Sequence, residues 1–276
     1  HYPLRRQRQM CIRDRLNVDK RNFLIFEIIE VIKRFDFKYI LIENVPKYIE
    51  MSFPKGNKLY KLKELLEHEF GSKYNVRADI FNMENYGIPQ SRPRSIVRMY
   101  KKGLVWNDPV RQKPIPLKDS IGHLPSLMPG EKSEIKWHFA KPLRPDLEKV
   151  LLNTPTGKSA LKNKVHFPKN KKGEKINGFH NTYKRMVWEK PAHARTTYNG
   201  SVSSHNNVHP GREKKDGTYS DPRVLTLLET FIVSSIPIEV EFPENFSDNF
   251  IRELIGEGVP PKFIVEILKP VICQQK

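Results

Sequence analysis

Phe37-Lys38-Tyr39-Ile40-Leu41-Ile42-Glu43-Asn44-Val45 is the stretch on which the fold turns. A short run rich in Ile and Val, closed by a carboxylate, has the length and composition of a strand buried on both faces. On its N-terminal side Leu24, Ile28, Ile29, Ile32 and Phe35 recur at helical spacing and give one apolar face. On its C-terminal side Asn57 can cap a second helix, with Leu59, Leu62, Leu65, Leu66 and Phe70 on one side and Gly71 as its stop. Residues 73–81 (KYNVRADIF) and 95–100 (SIVRMY) read as further strands. Helix and strand in alternation predict an α/β sheet.

Farther along, the pattern weakens. Residues 105–187 are rich in Pro, Lys and Gly and predict an inserted, basic, irregular lobe. Regularity returns in residues 188–276. Asp221 and Pro222 suit a helix start before VLTLLETFIV, and Ser247 can cap a helix that Gly256 would end. Pro260 and Pro261 open a last helix whose Phe263, Ile264, Ile267 and Leu268 share a face. At the other end, residues 1–16 have no helix or strand period and are read as non-native or disordered sequence ahead of the patterned part in residues 17–104.

The 276 residues carry a formal net charge of +18, which points to a polyanionic partner, nucleic acid above all. The two cysteines, Cys11 and Cys273, offer neither a disulfide framework nor a zinc spacing, and are expected as free thiols in a reducing cytoplasm. No apolar run reaches the length of a membrane span. Gly157-Lys158-Ser159 resembles the end of a phosphate loop, but Leu152 stands where its first glycine belongs. His205 and His209 are four apart, yet Pro210 follows and no glutamate adjoins His205, so no metal site is expected.

Three segments could carry chemistry. Glu43-Asn44-Val45 follows a strand, and in open α/β sheets ligands bind beyond strand C-termini. In Gln90-Ser91-Arg92-Pro93-Arg94, alternation sets two guanidiniums on one side of an extended segment, where they can hold a carbonyl, a carboxylate or a phosphate. Gly256-Glu257-Gly258-Val259-Pro260-Pro261 is a glycine-flanked turn that lets backbone approach a ligand. Taken singly, each is equally a strand end, a surface pair or a helix connection.

In this order, however, they resemble the DNA cytosine-5 methyltransferase family. Tyr86-Gly87-Ile88-Pro89 precedes the Gln-x-Arg-x-Arg of Gln90, Arg92 and Arg94. Lys190-Pro191, Thr196-Thr197, His209-Pro210 and the Leu225-Thr226-x-x-Glu229 run follow, and the turn at Gly256–Pro261 closes the set. The resemblance starts near Asp19, with Arg21, Leu24 and Phe26. It implies a partial, Rossmann-like S-adenosylmethionine-dependent methyltransferase sheet with a small irregular target recognition lobe inserted. It also implies base flipping in double-stranded DNA, addition of a cysteine thiolate to C6 of a cytosine, and methylation at C5. By the same resemblance Glu43, Arg92 and Arg94 are catalytic, while Gln90 and Asn44 hold the substrate. Leu24, Val45, Glu257 and Val259 line the S-adenosylmethionine site, and no metal takes part.

Two departures stand out. Glu257 occupies a position where the family has Asn. The Pro-Cys-Gln loop and the glycine-rich cofactor motif are absent, since Cys11 sits in Met-Cys-Ile. The expectation is therefore a truncated, inactive piece of a cytoplasmic restriction-modification enzyme, monomeric in its full-length form and paired with a cognate restriction endonuclease. The alternatives are a non-catalytic DNA-binding remnant and a tRNA cytosine-5 methyltransferase.

Overall fold

A computed structural model describes residues 23–272; the cysteines, Asp19, Arg21 and the segment 1–16 lie outside the described residues. Those residues form two compact units, 23–80 with 94–106, and 81–93 with 107–272.

In the first unit, helix α1 (Leu24–Arg34) buries Ile25, Ile29 and Ile32, and places Lys33 and Arg34 in its last turn, where cations suit the helix dipole. Strand β1 (Tyr39–Asn44) follows, then a 3-10 turn over Pro46–Glu50. Strands β2 (Ser52–Lys55) and β3 (Lys58–Lys61) form an antiparallel hairpin. This hairpin corrects the expected cap at Asn57. Gly56 takes φ +56, so Gly56 and Asn57 make a two-residue hairpin turn instead. Leu59 accordingly stands on a strand, 57% exposed. Helix α2 (Leu62–Phe70) starts after it, with the Glu64 carboxylate accepting from Lys61 N–H at 3.0 Å. Gly71 ends it as expected.

Strand β4 is Tyr74–Asn82, and β6, after the two-residue β5 (Gln90–Ser91), is Pro93–Lys101. The main sheet has the order β1-β6-β4, with β1 antiparallel to β6. Ile25, Ile29 and Ile32 of α1 and Leu62, Leu65, Leu66 and Phe70 of α2 share one core with Tyr74, Val76, Val97 and Met99 of the sheet. β1 departs from the reading of its sequence. All six of its residues are half-buried, because among the described residues β1 is an edge of the sheet.

The second unit is mostly irregular. Its regular pieces are α3 (Leu117–Ile121), α4 (Pro145–Leu152), β7 (Ala192–His193), α5 (Leu227–Val233), α6 (Asp248–Glu257) and α7 (Pro261–Ile272). Leu117 and Ile121 share a core with Met186, Ala192, Leu225 and Val233, and Val150, Leu151 and Ala160 share another with Val202, Val208 and Val224. Asp221 does not open a helix. It adopts φ +50, and α5 begins six residues later behind Thr226, whose Oγ1 accepts from Glu229 N–H while the Glu229 carboxylate accepts from Thr226 N–H. Ser247 caps α6 as expected, accepting from Phe250 N–H. The helix runs through Gly256 and ends at Gly258. On α7, Phe263 is fully buried against Tyr86 and Phe81, with ring centroids 5.6 and 5.9 Å away.

Candidate active site

The register of β1 on β6 sets Glu43 opposite Ile96 and Asn44 opposite Ser95. Asn44 Oδ1 accepts from Val45 N–H at 2.8 Å, and Ser95 Oγ lies 3.2 and 3.0 Å from the carbonyl oxygens of Asn44 and Val45, sharing its proton between them. These bonds fix where the strand ends, and so fix Glu43 one residue before the turn. Arg94, near the start of the neighbouring strand, donates through Nε to Glu43 Oε1 at 2.9 Å; the two side chains are 16% and 26% exposed. Burial lowers the guanidinium pKa and the Glu43 charge and hydrogen bond raise it, with a net lowering that leaves Arg94 a cation at neutral pH. A carboxylate and a guanidinium meet here in a half-buried, pre-set pair. The first can hold a ring nitrogen's proton, the second a carbonyl or phosphate oxygen.

Leu24 opens α1 and lines a groove of about 570 Å³ with Ile28, Val31, Ile40, Ile42 and Glu43. Leu24 is 56% exposed, and Val45, beyond the strand end, 53%.

The sequence put Arg92 and Arg94 side by side on one ligand. The structure divides them between the two units. Arg92 is only 2% exposed. Its Nη1 donates to Arg195 O, and its Nη2 to Gly256 O and Gly258 O, each at 2.8 Å. The guanidinium thus ties its own loop to three carbonyls on two backbone segments, the work of a positioning residue. Gln90 does the same beside it. Its Nε2 donates to Val233 O at 3.2 Å and Ser234 Oγ at 3.0 Å, and its Oε1 accepts from Arg195 N–H at 3.2 Å. Glu257 is exposed at the end of α6. Val259 lines a cavity of about 170 Å³ with Gln90, Arg92, Ser234 and Phe242. Gly256 is required where it stands, since a Cβ there would lie 2.4 Å from the backbone of Thr196 and Thr197.

A buried charge network was not anticipated. Arg223 donates to Asp221 Oδ1 at 2.7 Å and to both Glu229 oxygens at 2.7 and 3.0 Å. Asp221 also accepts from Ser126 Oγ, Leu127 N–H and Ser220 Oγ. Gly211 N–H donates to His209 Nδ1 at 3.1 Å, which puts the ring proton on Nε2, 3.6 Å from Glu229 Oε1. Burial, with Arg223 nearby, pushes His209 down to about 4. For Glu229 burial acts upward, but Arg223 and His209 outweigh it and hold the carboxyl at about 2. The Leu-Thr-x-x-Glu run hinted at Glu229; nothing local in the sequence announces His209 or Asp221 as its neighbours.

No cluster of three or more His, Cys, Asp or Glu that could hold a metal occurs among the described residues, and no helix among them is long and apolar enough to cross a membrane.

Among solved structures, a putative DNA modification methyltransferase encoded within a prophage (E. coli) is similar with a TM-score of 0.59 at 15% identity, over 92% of this chain and 74% of that one. The chain thus shares the mixed α/β fold of that protein. Residues 14–273 match the family model of the C-5 cytosine-specific DNA methylases, and the chain belongs to that family. It is 43% identical over 253 residues to the Type II methyltransferase M1.HgaI of Avibacterium volantium, covering 92% of this chain and 71% of that protein. With the Type II methyltransferase M1.HphI of Haemophilus parahaemolyticus it shares 30% identity over 124 residues, 44% of this chain and 32% of the relative.

Proposed function

We propose that Glu43 and Arg94 form the base-holding part of a site that methylates C5 of a specific cytosine in double-stranded DNA. The half-buried 2.9 Å pair at the end of β1 carries this reading. Glu43 would hydrogen-bond to N3 of a flipped cytosine and stabilise charge as a nucleophile adds to the ring. Arg94 would donate to the base carbonyl. Asn44 shapes the turn beneath the base, and Gln90 and Arg92 hold the segment that precedes β6. Residues 105–187 would act as the target recognition region, between catalytic parts in 17–104 and 188–276.

By the family resemblance, Leu24 and Val45 in the first unit, and Glu257 and Val259 in the second, would each be cofactor contacts. The exposed apolar surfaces of Leu24 and Val45 suit a purine ring, and the exposed Glu257 carboxylate suits ribose hydroxyls. Bound there, S-adenosylmethionine supplies the methyl group. The setting is a cytoplasmic restriction-modification system with a cognate endonuclease, in which the complete enzyme acts as a monomer.

Among the described residues there is no cysteine, and Cys11 lacks the Pro-Cys-Gln context. Joining the upstream segment of M1.HgaI to this chain at Asp19 tests the whole reading. The chimera should transfer labelled methyl to C5 of cytosine in duplex DNA rather than in tRNA. Glu43→Gln should then lower turnover by roughly 10²–10⁴-fold. A rate close to that of the unmodified chimera would remove Glu43 from the chemistry.

A further inference from the structure

Residues 162–175 hold six lysines and one glutamate. The structure gathers four of those lysines onto one small hairpin. Lys169 and Lys175 are bridged, Ile176 N–H donates to Pro168 O, and Asn170 N–H donates to Glu174 O. Gly173 takes φ +82 to close the turn. Asn170 pins it from within. Its Oδ1 accepts from Lys172 and Glu174 N–H at 2.9 and 3.0 Å, and its Nδ2 donates to Glu174 Oε2 at 2.8 Å. At the base, Lys169 and Lys175 lie over the Phe167 ring at 5.7 and 4.9 Å. The Asn163 amide, donating to Thr154 Oγ1 and His166 O, fastens the approach to the end of α4. Residues 169–175 are all exposed.

We propose that the hairpin Pro168–Ile176 is a rigid finger that grips the phosphate backbone of duplex DNA through Lys171 and Lys172, positioning the recognition region without reading sequence. It rests on the DNA-methylating reading above. Its chemistry separates it from base readout. The two polar groups at the tip that could discriminate bases, the Asn170 amide and the Glu174 carboxylate, are bound to each other. What the tip presents is lysine, a point charge suited to phosphate. Because the turn is held by hydrogen bonds, little ordering entropy is lost on contact. A second lysine-bearing hairpin, Glu213–Tyr219, carries Lys214 and Lys215 but also Glu213 and Asp216, so its charges cancel.

The test is fluorescence anisotropy of the whole chain on several unrelated 25–30 base-pair duplexes, from ~50 to ~200 mM salt. Lys171→Ala with Lys172→Ala should weaken binding equally on every duplex and make the log–log salt slope shallower by about 2. Lys214→Ala with Lys215→Ala, which removes the same charge elsewhere, should change the slope by less than half as much. An unchanged slope in the first pair overturns the finger and leaves the DNA reading standing. A loss confined to one duplex sequence overturns it in favour of base readout, and a larger loss on tRNA than on duplex DNA assigns the finger to RNA instead. If the unmodified chain binds no duplex even at the lowest salt, the finger and the DNA reading fall together. Far-ultraviolet circular dichroism checks that both variants are folded.

Discussion

His209 shows what a single buried side chain can do to this protein. Its pKa lies at about 4, below the ordinary 6.5, so between those values the unfolded chain binds a proton that the folded chain refuses. Stability therefore rises with pH across that window and is lost as pH falls from about 6.5 towards 4, by an amount on the order of 3 kcal/mol for this group. His193 is pushed down as well, by desolvation and then by Arg195, Lys184 and Lys190, but its side chain is exposed at the end of β7, so solvent screens the effect and its share is smaller. Asp221 and Glu229, both held low, add a loss only at more acid pH. Urea unfolding from pH 7 to 4.5 should show this slope, and His209→Gln should make it shallower by close to one proton; an unaltered slope would clear His209 of the effect. Beyond Glu229, nothing local in the sequence announces this cluster or the buried arginines around the molecule. Arg92, Arg98, Arg185, Arg195, Arg223 and Arg252 are all 2% exposed or less. Arginine is expected at surfaces. The partners that permit burial are largely backbone carbonyls, such as His209 O and Leu151 O for Arg185, whose meeting is decided by the finished fold.

At the scale of elements, legibility followed how local the deciding interactions are. The Ser247 cap is written within one turn of helix and stands where the sequence puts it, and Ile29 and Ile32 of the expected α1 stripe are buried; Ile25 takes the place of Leu24 and Phe35, which are exposed. Asn57 was ambiguous because Gly-Asn serves a hairpin turn as readily as a helix start, and the pairing of Ser52–Lys55 with Lys58–Lys61 decided it. Glu43 could be named from the sequence, but Ser95, which braces the turn after it, could not, because the register of β1 on β6 brings it there. Gly256 belongs to this scale as well. Alanine would ordinarily favour a helix over glycine by about 1 kcal/mol. Here all three atoms it would strike are backbone, which no rotamer change can relieve. Gly256→Ala should therefore destabilise by about 1–3 kcal/mol, read as a lower thermal midpoint. A midpoint equal to or above that of the unmodified protein would mean the helix can retreat freely from Thr196 and Thr197.

For the whole molecule, the edge position of β1 has a practical effect. Leu24, Val31, Phe35 and Phe37 are exposed along α1 and the approach to β1, next to a strand with a ladder partner on one side only among the described residues. Such an edge beside an apolar groove favours association. The isolated chain should scatter light increasingly with concentration, and Val31→Lys should reduce that scatter without changing the circular dichroism spectrum; scatter that ignores the substitution would place the contact elsewhere. The Arg92 clamp acts on a different axis, that of time. It joins residues 103, 164 and 166 positions apart in the chain. A contact of such span has a large closure entropy and forms late in folding. During synthesis it cannot form at all until Gly258 has emerged. The loop that carries Gln90 and Arg92 must wait, tethered but unfastened, while more than half of the polypeptide is still being made.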